Sequence, residues 1–342
     1  MLDRTRYVLA FAALCLSSVR LHAAEHAPWL TASRDAAPLV GVQVKLPSFT
    51  DRDAQQIRRT GLQFVRLGLW TDRMDQPAYR RSFAQAIATA QAAQLPVLLT
   101  VRSLKPLVPA DTPSDARVAA IAEAGFKWAK VITQISDEYG QQLLAIELWN
   151  EPDLHQYWPT GNVEDTFVPF MRAVCERLGK HHPAVPVIGF AFSRAPLTGS
   201  APERLLRPLA ASMPGCVDAI SYHAYGMSPA QIRTAAQALH ARYGLPAVIT
   251  EAGAASVGSG GLNRQAQRLA TLLDALNDLS TPLISIYEWA DTSHAPDVAQ
   301  RHYGLVQADR TAKPALGAVA QALHENRSRH ASRKASNTRL HP

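Results

Sequence analysis

The sequence predicts a single (β/α)8 barrel of the α/β class. Three observations carry that prediction. Between Leu39 and His324, short apolar runs alternate eight times with longer helix-forming stretches, the pattern of parallel strands joined by crossover helices. The runs are apolar almost throughout, as strands covered on both faces must be. Two of them end abruptly in polar and acidic residues, at Trp149-Asn150-Glu151 and at Thr250-Glu251. A closed parallel barrel gathers such residues on one rim.

In chain order, residues 24–37 are an irregular lead-in and 39–45 form the first strand. Asp51 or Asp53 starts a short helix that reaches Gly61. The second strand, 64–70, carries Arg66, and an Ala- and Gln-rich helix of good helix formers follows over 78–94. The third strand, 96–101, ends in Arg102. A loop with Pro106, Pro109 and Pro113 then leads to a long helix over 114–139, closed by Gly140. The fourth strand, 143–149, feeds a loop with His155, Tyr157 and Trp158, then a helix over 165–178. Strands five to eight fall at 185–192, 217–223, 247–251 and 283–289, with helices over 201–212, 230–242 and 263–277 between them. A last helix covers 313–324. No Gly-rich phosphate loop follows any strand, so an open nucleotide-binding sheet lacks its signature.

A chain of 342 residues, 47% hydrophobic and 18% charged, accommodates one barrel of ~250 residues with room for termini. The formal charge of +7 sits at the ends. Arg327, Arg329, Arg333, Lys334 and Arg339 face no acid in 326–342, and Arg4, Arg6 and Arg20 face only Asp3. Residues 24–325 are therefore neutral, which removes any charge argument for a nucleic-acid-binding core. Residues 1–23 read as a secretory signal: Arg4 and Arg6 precede an apolar stretch too short to span a bilayer. The expected division is signal 1–23, catalytic barrel 24–325 and a basic disordered tail 326–342, in a periplasmic or secreted monomer with no stable membrane insertion. Export permits a disulfide between Cys175 and Cys216, but a lone pair in a large domain reads better as two small buried thiols.

The chemistry gathers at Leu143–Leu154, LLAIELWNEPDL. A buried strand delivers Asn150 and Glu151, and Pro152 stops it. Pro246–Gly253, PAVITEAG, delivers a second carboxylate, Glu251. Two carboxylates on the rims of two strands are what glycoside hydrolysis needs: one protonates the leaving oxygen and the other attacks or assists at the anomeric carbon. Glu288 competes with Glu251, but it alternates opposite to Tyr287 and Trp289, so if Trp289 faces the pocket Glu288 faces away.

Asn-Glu-Pro on one strand with a lone Glu on a later one resembles clan A of the glycoside hydrolases, retaining (β/α)8 enzymes. The string Glu147–Leu154 with Trp158 just after it resembles family 39, with cellulase-type family 5 enzymes as further relatives. The resemblance implies Glu151 as acid/base, held protonated by its surroundings, and Glu251 as ionised nucleophile. It implies Asn150 on the hydroxyl beside the anomeric carbon and Arg66 supporting the nucleophile, though Arg66 also suits a structural pair with Glu147. Tyr225 of the His223-x-Tyr225 pair would donate to Glu251, with His223 lining the pocket. Trp289 would be the sugar platform, and Trp158, Tyr157 and Trp70 would line outer subsites.

The expectation is thus a cofactor-free, metal-independent glycosidase acting on a polysaccharide or oligosaccharide, with a bacterial exopolysaccharide as the preferred substrate. A transglycosylase with the same intermediate and a non-catalytic carbohydrate-binding barrel are the rivals. The presence of both glutamates argues against the binder. Arg102 and Lys45, also near strand ends, would matter if the sugar carries uronic acids.

Overall fold

The computed structural model describes residues 27–30, 37–181 and 183–338. Its strands are β1 (Leu39–Val44), β2 (Val65–Trp70), β3 (Val97–Arg102), β4 (Leu143–Leu148), β5 (Val187–Phe192), β6 (Ala219–His223), β7 (Ala247–Ala252) and β8 (Leu283–Ile286). They close a barrel in chain order, each parallel to the next, with β8 pairing back onto β1. The helices between and after them are α1 (Asp51–Thr60), α2 (Pro77–Ala92), α3 (Ser114–Tyr139), α4 (Val163–His181), α5 (Ala201–Ser212), α6 (Pro229–Tyr243), α7 (Gly261–Asp274) and α8 (Pro314–Thr338). The predicted fold class holds. Among the described residues no helix is long and apolar enough to cross a membrane.

Local chemistry sets the helix boundaries. At α1 the Thr50 side chain accepts from the Asp53 N–H, and Asp53 accepts from the Thr50 N–H in return. Gly61, at φ 94°, ends that helix in a conformation costly to other residues. Ser228 and Gln231 form the same reciprocal cap on α6, which Gly244 ends.

Strand alternation sorts the side chains into layers. The outward-facing residues, such as Val40, Val42 and Val44, pack into a continuous core against the helices. Inside, Phe64, Leu98, Ala145, Ile188, Ala219, Val248 and Leu283 form an apolar floor, and Ala27 and Leu30 pack against it. A Cβ at Gly41 would come 2.5 Å from the Phe64 ring, so β1 must carry glycine there. Above the floor the interior turns polar, with Arg66, Thr100, Glu147, Ser221, Thr250 and Ser285 all buried. The rim that carries Asn150, Glu151 and Glu251 stands on this layer.

Three expectations need correction. First, Cys175 of α4 and Cys216, in the loop before β6, form a disulfide with Cα atoms 5.0 Å apart. Burial preference alone does not register that the fold sets two distant segments side by side. Second, the tail does not begin at Asn326, because α8 continues to Thr338. Asn326 is buried and donates to the Leu273 and Ala322 carbonyls, while Arg327 donates to Gly61 O. Composition suggested disorder, but contacts with α1 and α7 hold this turn. Third, β8 ends at Ile286, so the alternation extended through Trp289 does not apply there. The expected signal segment lies outside the described residues.

Candidate active site

The site begins with a turn in the backbone after β4. Trp149 and Glu151 both adopt left-handed conformations, with φ of 73° and 51°. Non-glycine residues pay for such conformations and keep them where the surroundings over-determine them. Here the Trp149 ring is turned out among Trp128, Trp158 and Phe170, and its indole N–H donates to Tyr157 O. The Trp149 N–H donates to Val101 O and the Glu151 N–H to Ala191 O, fixing the turn to both neighbouring strands. With Trp149 facing outward, Asn150 and Glu151 are presented to the cleft.

Arg66, 1% exposed, organises what lies beneath. Its Nε donates to Glu147 Oε2 at 2.9 Å, and Nη2 lies 2.7 Å from the same oxygen. Nη1 donates to Gln43 Oε1 at 2.8 Å and to Glu251 Oε1 at 2.5 Å. Nη2 also donates to Asn150 Oδ1 at 2.8 Å. This last bond turns the Asn150 carbonyl toward Arg66 and leaves its NH2 group for a ligand. Thr100 donates to Glu147 at 2.6 Å. Burial alone would lower the Arg66 pKa, but Glu147 and Glu251 raise it, so the guanidinium stays charged. Arg66 thus contacts both Glu147 and Glu251, the two partners weighed for it.

Glu251, at the rim of β7, sits in register with His223 of β6. Its second oxygen, Oε2, accepts from the Tyr225 hydroxyl at 2.7 Å and lies 3.5 Å from His223 Nδ1. Burial pushes the Glu251 pKa up, but His223, Arg66 and Tyr225 together bring it below the ordinary carboxylate value. His223 Nδ1 is 2.8 Å from Glu151 Oε1. Burial opposes a charge on His223, yet the two glutamates outweigh it and raise its pKa. A carboxylate oxygen from each glutamate and a His223 ring nitrogen lie within 4.8 Å of one another. That spacing could accept a cation, but Arg66 and Tyr225 already occupy both Glu251 oxygens, and His223 is biased toward protonation. The arrangement suits proton transfer and nucleophilic attack better than metal ligation.

The aromatic residues divide differently from expectation. Trp158 is buried, and its indole N–H donates to Thr166 within a cluster with Trp149, Phe167 and Phe170. It offers no face to a ligand. Trp289 is also buried, and its indole N–H donates to Asp53 of α1. Tyr287 takes the position expected of Trp289. It is partly exposed and packs edge-on against Tyr225 and Tyr303 with centroids 6.1 and 5.5 Å apart. Glu288 is buried against Lys45 at 2.9 Å and Thr292 at 3.0 Å, apart from the Glu151–Glu251 pair. Tyr157 and Trp70 remain partly exposed.

Sequence reading missed Tyr287, Tyr303 and Gln43 as members of the site. Tyr287 was within reach, because the alternation that singled out Trp289 selects Tyr287 as well. Gln43 and Tyr303 carry no local signal.

No family model matches the chain, and no curated protein does. Solved structures do. A family 39 glycoside hydrolase from the gut symbiont Bacteroides cellulosilyticus WH2 is similar with a TM-score of 0.63 and 19% identity, over 85% of this chain and 64% of its own. A GH5_18 protein from Streptomyces cattleya, in complex with GlcNAc, gives 0.63 and 19%, over 85% and 80%. An Ignisphaera aggregans GH53 catalytic domain gives 0.62 and 16%, over 85% and 97%. The chain spans 60–64% of the length of the first two structures matched, the second being an exo-β-1,4-mannosidase from Opitutaceae bacterium strain TAV5. At these identities, what the chain shares with the glycoside hydrolases is their (β/α)8 barrel.

Proposed function

We propose that this protein is a retaining β-glycosidase. The observation that carries the reading is the pair Glu151 and Glu251, on the rims of β4 and β7, with one carboxyl oxygen of each no more than 4.8 Å from the other. Retaining enzymes hold their two carboxyl groups ~5–5.5 Å apart, and inverting enzymes ~6.5–9.5 Å. The surroundings divide the roles. Glu251 is held ionised by Arg66 and Tyr225 and attacks the anomeric carbon. Glu151 protonates the departing oxygen as that bond breaks. Water then enters, Glu151 takes its proton, and the new C–O bond releases Glu251. Asn150 donates its NH2 to the adjacent hydroxyl, and Tyr287 supplies the apolar platform.

The structural neighbours include proteins named as a mannosidase and as galactanases, so they do not single out a sugar. We favour a polysaccharide substrate, a bacterial exopolysaccharide among the candidates, and a periplasmic or secreted location. The Cys175–Cys216 disulfide supports export, since oxidising compartments preserve such bonds.

Incubation with a panel of aryl β-glycosides and exopolysaccharides, alongside Glu251→Gln and Glu151→Ala, tests the reading. Turnover should vanish in Glu251→Gln. Glu151→Ala should retain activity on good leaving groups and yield a β-glycosyl azide when azide is added. An α-configured azide product, or equal polysaccharide binding by all forms with no turnover, would overturn it.

A further inference from the structure

The cleft holds one strong cation that the mechanism leaves unused. Arg102 ends β3, two residues beyond Thr100, whose hydroxyl reaches Glu147 inside the barrel, so alternation aims Arg102 into the cleft. Its guanidinium lies over the Tyr157 ring at 5.0 Å and within electrostatic reach of Glu151 and Glu251. Among the described residues it makes no hydrogen bond or ion pair. Nearer the glutamates, Arg66 is committed to Glu147, Glu251 and Asn150, and Lys45 to Glu288. Beside Arg102 there is room. Gly68 of β2 pairs with Thr100, and a methyl group placed on it would meet no atom within 4 Å. Trp70, in register with Arg102, continues this edge outward with Arg73 stacked on it at 4.5 Å.

We infer that Arg102 binds a carboxylate on the sugar beside the scissile bond, with the open space over Gly68 admitting that substituent, so that the substrate is an acidic glycan. The inference rests on the glycosidase reading and narrows its substrate class. An anionic sugar entering a cleft with two glutamates meets repulsion, and a cation that no protein carboxylate neutralises offsets it. A guanidinium is suited to the task because its planar fork matches a carboxylate in two parallel bonds. Contact with the Tyr157 ring limits how far the guanidinium can move.

The test measures binding, which separates it from turnover. The Glu251→Gln protein is titrated calorimetrically with a β-1,4-glucuronan hexasaccharide and with cellohexaose, its carboxyl-reduced counterpart. The uronate should bind roughly 10- to 100-fold more tightly, the range for charge-assisted pairs. The preference should fall toward unity on adding Arg102→Met, persist in part with Arg102→Lys, and shrink with salt. Gly68→Val should also reduce it by filling the space. Arg102→Met should unfold at about the same temperature as its parent, because relief of the buried charge offsets the lost contact with Tyr157 and no hydrogen bond or ion pair is lost. Absence of the preference, whether through equal binding or none, overturns the inference, as does a preference that survives Arg102→Met. Retained preference in a protein that turns over no aryl glycoside would overturn the hydrolytic reading alone.

Discussion

Replacing Tyr225 with phenylalanine removes one oxygen and changes little else. The ring packs edge-on against Tyr287 and Tyr303 with centroids at 6.1 and 5.6 Å, and phenylalanine fills that space equally well. What is lost is the 2.7 Å hydrogen bond to Glu251 Oε2. A bond to a charged acceptor is worth about 1.5–3 kcal/mol. Because it favours the ionised form, its loss should raise the Glu251 pKa, and that energy corresponds to about 10- to 100-fold in kcat/KM on the acid side. Wild-type kcat/KM should hold as pH falls until it passes below the ordinary carboxylate value of 4.5, since Glu251 is depressed beneath it. In Tyr225→Phe the acid limb should move upward, while Arg66 and His223 still oppose the change. The assay is the pH profile of kcat/KM on an aryl glycoside, with circular dichroism to confirm folding. An acid limb that stays in place while activity falls would refute the claim that Tyr225 sets the ionisation of Glu251.

The other predictions concern what holds the site. Arg66→Met should cost about 3–5 kcal/mol in urea denaturation, because it leaves Glu147, 0% exposed, as a buried charge without its partner. Trp158→Ala should cost a comparable 3–5 kcal/mol as a core cavity with little effect on KM. Tyr287→Ala should raise KM by up to about tenfold and leave stability less affected. The opposite pattern would return the platform to the tryptophans. Reducing the disulfide, which closes a separation of 41 residues, should lower the denaturation midpoint by the equivalent of ~4 kcal/mol on the loop-entropy account.

The eight strands were legible because burial on both faces leaves an unbroken apolar run, and a run that stops at Asn150-Glu151 or at Glu251 marks a rim. Arg66 was legible for the opposite reason, since a charge inside such a run must have a partner. The alternation argument failed at Trp289 because it was carried three residues past the end of β8. At Trp158 the loop position pointed to an outer subsite, whereas the rings of Trp149, Phe167 and Phe170 enclose the side chain. Asn150 lies on the rim beside Arg66, but the left-handed residues on either side of it were not foreseen. Nothing in Trp149 or Glu151 marks a positive φ, which the surrounding strands impose.

The charges of the site argue for a defined pH window. Folded-state pKa values that differ from those of the unfolded chain are statements about stability. His223 is raised, so its contribution is complete below its ordinary value of 6.5 and is lost as pH rises through the folded value. Glu251 is lowered, so its contribution is present above 4.5 and is lost as pH falls through the folded value. The two overlap between those limits, where an imidazolium lies 2.8 Å from Glu151 and 3.5 Å from Glu251. Glu151 must give up and regain a proton in each proposed turnover, and His223 meets the charge on that carboxylate each time it appears. Neutralising His223 weakens the fold. The basic side of the stability curve should fall as pH rises through the folded value of His223, and in His223→Asn that fall should disappear.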